Sequence, residues 1–508
     1  MNILGIGGLP AEGSAVLIRE SRIVAAIEEA KVSRRRETRS VPEAAIRECL
    51  RLANLKASDV HTVAIARPFA QATLPLELRS QFTNARIVLV EHHHAHAASA
   101  YYASPFLDAT VLTLDRMGDL RCGSKWRGEK DVLTLESESF YPDSLGDIYS
   151  RVTALLGFAP GADEHKVQWL STAGAPEFGD LFGQMLGAGP SVDRSFLDSQ
   201  GGFSAKFYAA LGLADRAAIP DVMRANIASS IQTAVTKVAL TIAGTGTNLC
   251  LAGGLAYNAL LVAAFENSRQ FENVFVQPAA GNSGTALGAA LSVLGKHADA
   301  GSYCLGPNFA QEEIKQVLEN CKLSFRYLQT ADHVAGVALD ALAENKIVAW
   351  MQGRMEYGPR ALGNRSILAS PLNPYSTENL NTYIKHREAF RKFAASVPEE
   401  LVAEYFEIGP NARHLATVGR VKPAHKQRFQ AALLGDNLIR VHAVRKDDNP
   451  LYWKLLHQAG QRTGLPVLYN TSFNLFGEPL VCTPRDAVRS FYSSGIDALI
   501  VGNFVLQK

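Results

Sequence analysis

Four of the chain's thirteen histidines fall within five positions, in the stretch EHHHAHAASAYYASP at residues 91–105. The preceding RIVLVE reads as a strand, and the histidine run has the composition of a helix start. On a helix, residues four apart differ by about 40° in direction, so His92 and His96 share a face while His93 and His94 point elsewhere. That spacing offers two imidazoles to one metal ion. Asp115 closes the next apolar strand, ATVLTLD, and α/β proteins place site residues at the C-terminal ends of strands. Two histidines, one carboxylate and open positions suit iron, manganese or zinc. The i,i+3 pair His93/His96 is an alternative geometry. A helix of solvated or core-satisfied histidines is the plainer reading.

Three more constellations stand out. In LAGGLAYNALL, Gly253 and Gly254 lie between a strand and a helix start, where backbone amides can cradle a phosphate; a tight strand–helix turn has the same signature. PAAGNSGTALGAAL repeats that pattern. In GRMEYGPRALGNRSILASP (353–371) and KHREAFRKFAASV (385–397), five cations, Arg360, Arg365, Lys385, Arg387 and Arg391, are interleaved with glycine, serine and apolar residues. They lack the mixed-sign pattern of a solvated helix. Arginine forks bind phosphate oxygens bidentately, so a polyphosphate site is the expectation. Finally, YNTSFNLFGEP places Asn470, Thr471, Ser472 and Asn474 directly after an apolar strand. There they can hydrogen-bond a nucleotide or a carbamoyl group, or form an Asx-rich turn.

These residues need a scaffold. A chain of 508 residues exceeds one compact core, and two unequal domains are expected. The apolar share of 47% and charged share of 20% are those of a soluble globular protein. A formal charge of +2 gives no electrostatic case for a nucleic-acid partner. No apolar run approaches the roughly 20 residues that span a bilayer, and MNILGIGGLP lacks the basic start of a signal peptide. Six scattered cysteines without C-x-x-C read as reduced thiols of a cytoplasmic protein. No fixed-period repeat is visible. NILGIGG, SAVLIRE and RIVAAIEE read as a strand meander with a corner at Glu20–Arg22, followed by the helix PEAAIRECLRLANL. Strands then alternate with helices, an α/β pattern. The opening meander and helix resemble the actin-like, sugar-kinase-like ATPase fold. The polar, Gly/Pro-bearing stretch near 296–310 marks a boundary between a domain at 1–300 and one at 301–508.

As a set, these motifs resemble the O-carbamoyltransferases of nodulation and antibiotic tailoring, over nearly the whole chain and in family order. The resemblance implies an actin-like (ASKHA) domain, similar to tRNA threonylcarbamoyl transferases, joined to a YrdC-like α/β domain. The second would make carbamoyl-adenylate from carbamoyl phosphate and ATP with Mg²⁺. The first would pass the carbamoyl group to a hydroxyl of a natural product or sugar, using Fe²⁺ or another divalent metal. It implies His92, His96 and Asp115 as metal ligands. Asn282, in GNSG, stands where the family has a metal-binding aspartate, and Glu12 stands where it has a histidine that assists transfer. Asp115–Arg116 replaces a usual Asp-Gly pair. EHK at Glu164–Lys166 replaces Glu-Gly-Lys, which assigns Lys166 to catalysis beside Glu12 and Asp115. Nucleotide and phosphate contacts fall to Gly253, Gly254, Asn258, Arg360, Arg365, Lys385, Arg387, Arg391, Arg440, Asn470, Ser472 and Asn474. FRKFAASV carries Lys392 where the family has proline. Because Asn282 brings no charge, the metal is expected to be held loosely. Glu12 can serve as a general base. Glu12 and Asn282 also fit a second reading: a transfer-impaired paralogue that binds nucleotide or carbamoyl-adenylate as a partner subunit. A third is transfer to a non-hydroxyl acceptor. A homodimer and a heteromeric assembly are both compatible with the sequence.

Overall fold

A computed structural model describes residues 1–9, 11–35, 41–69, 71–187, 189, 191–214 and 218–508. The apolar N-terminal segments form the expected meander: β1 (Asn2–Gly7), β2 (Ser14–Arg19) and β3 (Arg22–Glu28). The β2–β3 corner turns at Glu20 and Ser21, with φ of 50° and 67°. Strands β4 (Thr62–Ala66) and β5 (Arg86–Val90) then add in parallel, giving the order β3-β2-β1-β4-β5.

The same plan is built a second time. β6 (Asp108–Gly118), β7 (Arg121–Glu129) and β8 (Val132–Phe140) form an antiparallel meander. β9 (Gly246–Ala252) and β10 (Phe271–Val276) add in parallel, giving β8-β7-β6-β9-β10. The duplication leaves no repeat in the sequence, because a shared topology constrains only the apolar pattern of each strand.

Helices His92–Tyr101 and Thr285–Leu294 follow β5 and β10 and lie against both sheets in one apolar core. They touch backbone to backbone: a Cβ on Gly288 would fall 1.6 Å from the Ala95 carbonyl oxygen. The small residues on the facing sides of the two helices permit this contact.

Residues 326–507 form a ten-stranded mixed sheet. At its centre Val348–Met351, Arg365–Ala369, Leu468–Ser472, Ala394–Pro398 and Leu438–Val444 lie side by side in that order. Ala394 is opposite Asn470 on one side and Arg440 on the other. Directly paired residues share a face, so Asn470 and Arg440 flank Ala394, which packs with Leu362 and Leu415. The halves are tied together by Lys31, whose ammonium donates to the Glu356 and Gly358 carbonyls and pairs with Glu28 at 2.8 Å. Among the described residues, no helix is long and apolar enough to cross a membrane.

Candidate functional site

The histidine helix begins where Glu91 caps it, its carboxylate accepting from the amides of His93 and His94. This cap fixes the phase of the first turn, and with it which histidines face Asp115. His92 Nε2 lies 2.9 Å and His96 Nε2 3.5 Å from Asp115 Oδ2, and the two nitrogens are 3.1 Å apart. The i,i+4 pair is therefore the one that converges. His93 turns to Thr113 Oγ1 at 2.6 Å, and His94 stacks on Trp126.

Asp115 is presented by β6 at a point where pairing with β7 shifts register. The turn after β9 closes over it. Gly253 has φ +91°, a Cβ there would meet the Leu114 carbonyl oxygen at 2.2 Å, and the Gly254 amide donates to Asp115 Oδ1 at 3.3 Å. Of the two glycines expected to cradle a phosphate, Gly253 packs on the Leu114 backbone and Gly254 holds the carboxylate in place. Gly118 is as tightly placed, since its Cβ would fall 2.0 Å from the His92 ring.

The donor set fits a divalent cation. His92 Nδ1 is 3.0 Å from the Arg67 carbonyl oxygen, which accepts only, so Nδ1 carries a proton, and Nε2, which faces Asp115, is the nitrogen that a cation would engage in exchange for its proton. Three ligand atoms, His92 Nε2, His96 Nε2 and an Asp115 oxygen, lie within 4.8 Å of one another, and all three residues are buried. Burial works against the Asp115 carboxylate, but hydrogen bonds from His92 and then His96 hold it well below the usual carboxylate range. Burial pushes His92 down, yet Asp115 outweighs it and raises the imidazole; in His96 burial prevails and lowers it. The pocket wants positive charge and has room for little of it as protons.

Glu12 and Asn282 come to the rim of this pocket. Glu12 is open to solvent on one side. Crowding by protein, and then the charge of Asp115, raise its carboxyl, against the lowering effect of the Ser283 and Asn282 amides. Asn282 Oδ1 is buried and has no hydrogen-bond partner among the described residues. If it faces the metal, Asn282→Asp should tighten Mn²⁺ or Fe²⁺ binding about 10- to 100-fold, read by metal titration. Unchanged affinity would remove residue 282 from the metal's surroundings.

The second site is cationic. Arg360 donates to the Tyr257 carbonyl at 3.1 Å. Arg440 lies over Trp169 at 5.3 Å, and Arg387 over Phe393 at 4.3 Å. Arg440 Nε and Arg387 Nη2 are buried without partners. Burial, then the neighbouring Arg360, Arg387 and Arg391, push the Arg440 guanidinium well below its ordinary range. Burial and Arg391 bring Arg387 down to about 9. Arg391 has one carboxylate, Glu388, at 3.7 Å, which it shares with Lys166 at 2.9 Å. Cations held against one another in this way call for an anion.

Several expectations are corrected. Arg365 is fully buried, and its guanidinium donates to the carbonyls of Gln352, Gly353, Asn364 and Pro307. Its two terminal nitrogens thus brace the loop, and its Nε is buried without a partner among the described residues. Lys385 donates to Ser472 O, Asn474 O and Asn474 Oδ1, so its ammonium organises the Asn470–Asn474 block. Ser472 Oγ in turn donates to Asn474 Oδ1. Asn258 caps the helix Ala259–Asn267 through Leu261 N and donates to Gln232, which makes it a structural cap. Lys166 pairs with Asp163 and Glu388 beside the arginines, away from Asp115. Asn470 Nδ2 donates to the Ala361 carbonyl, and its buried Oδ1 has no partner among the described residues.

Two contributors escaped the sequence reading. Glu356 is wholly buried, and its Oε1 accepts from the amides of Leu362, Asn364 and Arg365, setting the loop that carries Arg360. Nothing in the sequence separates it from a surface glutamate. His165 sits among Arg391, Arg360, Asp163 and Lys166. Its signal was present, as a side chain in place of glycine in EHK. The two sites adjoin through the short turn Gly254–Tyr257, which touches Asp115 at one end and Arg360 at the other.

Residues 69–291 match the carbamoyltransferase N-terminus family, and residues 339–508 the carbamoyltransferase C-terminus family. An uncharacterized Synechocystis protein, sll1178, is 33% identical over 100% of this chain and 97% of its own. The nodulation protein NolNO of Sinorhizobium fredii is 31% identical over 98% of this chain and 79% of its own. The 3'-hydroxymethylcephem-O-carbamoyltransferase of Streptomyces clavuligerus is 33% identical over 51% of this chain and 48% of its own.

Proposed function

The chain belongs to the carbamoyltransferase family, and from that premise we propose that it is an O-carbamoyltransferase with two sites. The 301–508 half, read as YrdC-like, makes carbamoyl-adenylate from ATP and carbamoyl phosphate with Mg²⁺. The 1–300 half, read as actin-like, transfers the carbamoyl group to a hydroxyl of a small natural product or sugar. The duplicated sheet order supports the actin-like reading. The relative that acts on a hydroxymethylcephem supports a small-molecule hydroxyl as acceptor.

One observation carries the proposal: half-buried arginines that oppose one another's charge adjoin a buried His/His/Asp cluster across a single four-residue turn. Water cleaves carbamoyl phosphate to carbamate and inorganic phosphate, a carbamate oxygen attacks the α-phosphorus of ATP, and pyrophosphate leaves, while Arg360, Arg387, Arg391 and Arg440 neutralise the phosphates. Positioning and electrostatics supply most of that catalysis. Asn470 Oδ1 is free to accept from the carbamoyl amide or the nucleotide. In the transfer step Glu12, accessible and with a raised carboxyl, takes the proton from the acceptor hydroxyl, and AMP departs. His92, His96 and Asp115, with Asn282 alongside, would hold a divalent metal such as Fe²⁺, which supplies Lewis acidity at the carbamoyl carbonyl.

The test is to mix the chain with ATP, Mg²⁺ and carbamoyl phosphate, follow pyrophosphate, and quantify bound metal. Absence of both defeats the proposal. Asn282 and Glu12 favour a second reading, a transfer-impaired paralogue. Pyrophosphate release without transfer to any hydroxyl would select it.

A further inference from the structure

The helix Glu164–Leu170 comes from the N-terminal half and docks on the arginine cluster of the C-terminal half. Trp169 lies under Arg440, and Lys166 reaches Glu388, which also pairs with Arg391. His165, one residue before Lys166, is aimed into the same place. Its Nδ1 is 3.1 Å from the Ala162 carbonyl oxygen, which accepts only, so Nδ1 carries the proton. Nε2 of the neutral ring is left as a lone pair, and it is buried with no hydrogen-bond partner.

The groups facing it are Arg360 from the Gly-Pro-Arg loop, Arg391 from the segment after Lys385, and Asp163 and Lys166 from its own turn. Burial first, then Arg391 and Arg360, bring the imidazole down to about 3. That lone pair is half of an interaction, since among the described residues no guanidinium donates to it. A bound oxyanion supplies the other half: it offsets the guanidinium charge and accepts a hydrogen bond from a protonated Nε2.

We propose that His165 is a ligand-contacting residue of the anion site, donating from Nε2 to a bound phosphoryl oxyanion and taking up a proton as that anion enters. This rests on reading the arginine cluster as a phosphate site. It makes the site a composite of both halves. Proton uptake follows by linkage, since an anion that favours the imidazolium must raise its pKa on binding. It also gives the position after Glu164 a role that glycine cannot fill.

Sulfate is the probe of choice, because it is a tetrahedral dianion that does not titrate near neutral pH. Calorimetric titration of sulfate into the full chain at pH 6.5, in two buffers of different ionisation enthalpy, counts the protons taken up by protein. Wild type is expected to take up most of one proton per sulfate. His165→Gln, with an unchanged circular dichroism spectrum, is expected to take up none and to bind sulfate about tenfold more weakly. Undiminished uptake in His165→Gln would assign the proton to Lys385 or Arg387 and overturn the proposal. Sulfate binding by wild type without uptake would overturn it while leaving the arginine site standing. No binding of sulfate or inorganic phosphate by wild type would overturn the arginine site and this inference together.

Discussion

Asp115→Asn is expected to bind divalent metal more than about 100-fold more weakly than wild type and to lose carbamoyl transfer, while still releasing pyrophosphate from ATP and carbamoyl phosphate. Asp115 is the one carboxylate among the three converging ligand residues. Asparagine keeps its shape and can still accept from the Gly254 amide, so the turn after β9 should stand. What disappears is the negative charge that holds a cation between two neutral imidazoles. The adenylation half depends on other residues, which separates this outcome from general misfolding. Treating wild type with a chelator should reproduce the same split. If Asp115→Asn retains wild-type metal content by elemental analysis, the His92/His96/Asp115 cluster is not the metal site.

The second large effect is at Arg440. Arg440→Met should lower kcat/KM for pyrophosphate release on the order of 10²- to 10³-fold, and leave metal binding intact. It should also stabilise the ligand-free protein by about 1–4 kcal/mol in chemical denaturation. The two signs are opposite for one reason. Arg440 is half-buried over Trp169, its Nε buried and unpartnered among the described residues, and its charge is opposed by Arg360, Arg387 and Arg391. Without an anion that arrangement is strained; with one it is complementary. Methionine fills the stem's volume and relieves the repulsion. Anion-free buffer is needed, because phosphate or sulfate would mask the difference. A variant that is both inactive and less stable would make Arg440 a structural residue like Arg365.

That contrast between two arginines shows where sequence reading stops. Arg360 and Arg365 stand five positions apart in one Gly-rich frame, and no property of the sequence ranks them. Strand pairing decides. Arg365 begins a central strand and is buried where its terminal nitrogens donate to backbone carbonyls, whereas Arg360 lies on the loop before it. Lys385 and Asn258 were read as ligand contacts for the same reason, since a polar side chain in a motif looks alike whether it meets a substrate or caps a backbone.

By itself the sequence determined the spacing of His92 and His96 on one helical face, the strand that presents Asp115, the opening meander and the family motifs. These are local: helical periodicity, strand alternation and turn residues act within a few positions. Only the tertiary structure decided that Glu12, Asp115, Gly254 and Asn282 gather at one cleft, though they span the first 282 residues. It alone placed the EHK turn against arginines more than 190 residues later. It alone revealed the duplicated sheet, built from strands that share a topology but no sequence repeat. Burial and charge opposition arise from which surfaces meet, and that is set by long-range packing, which no local pattern encodes.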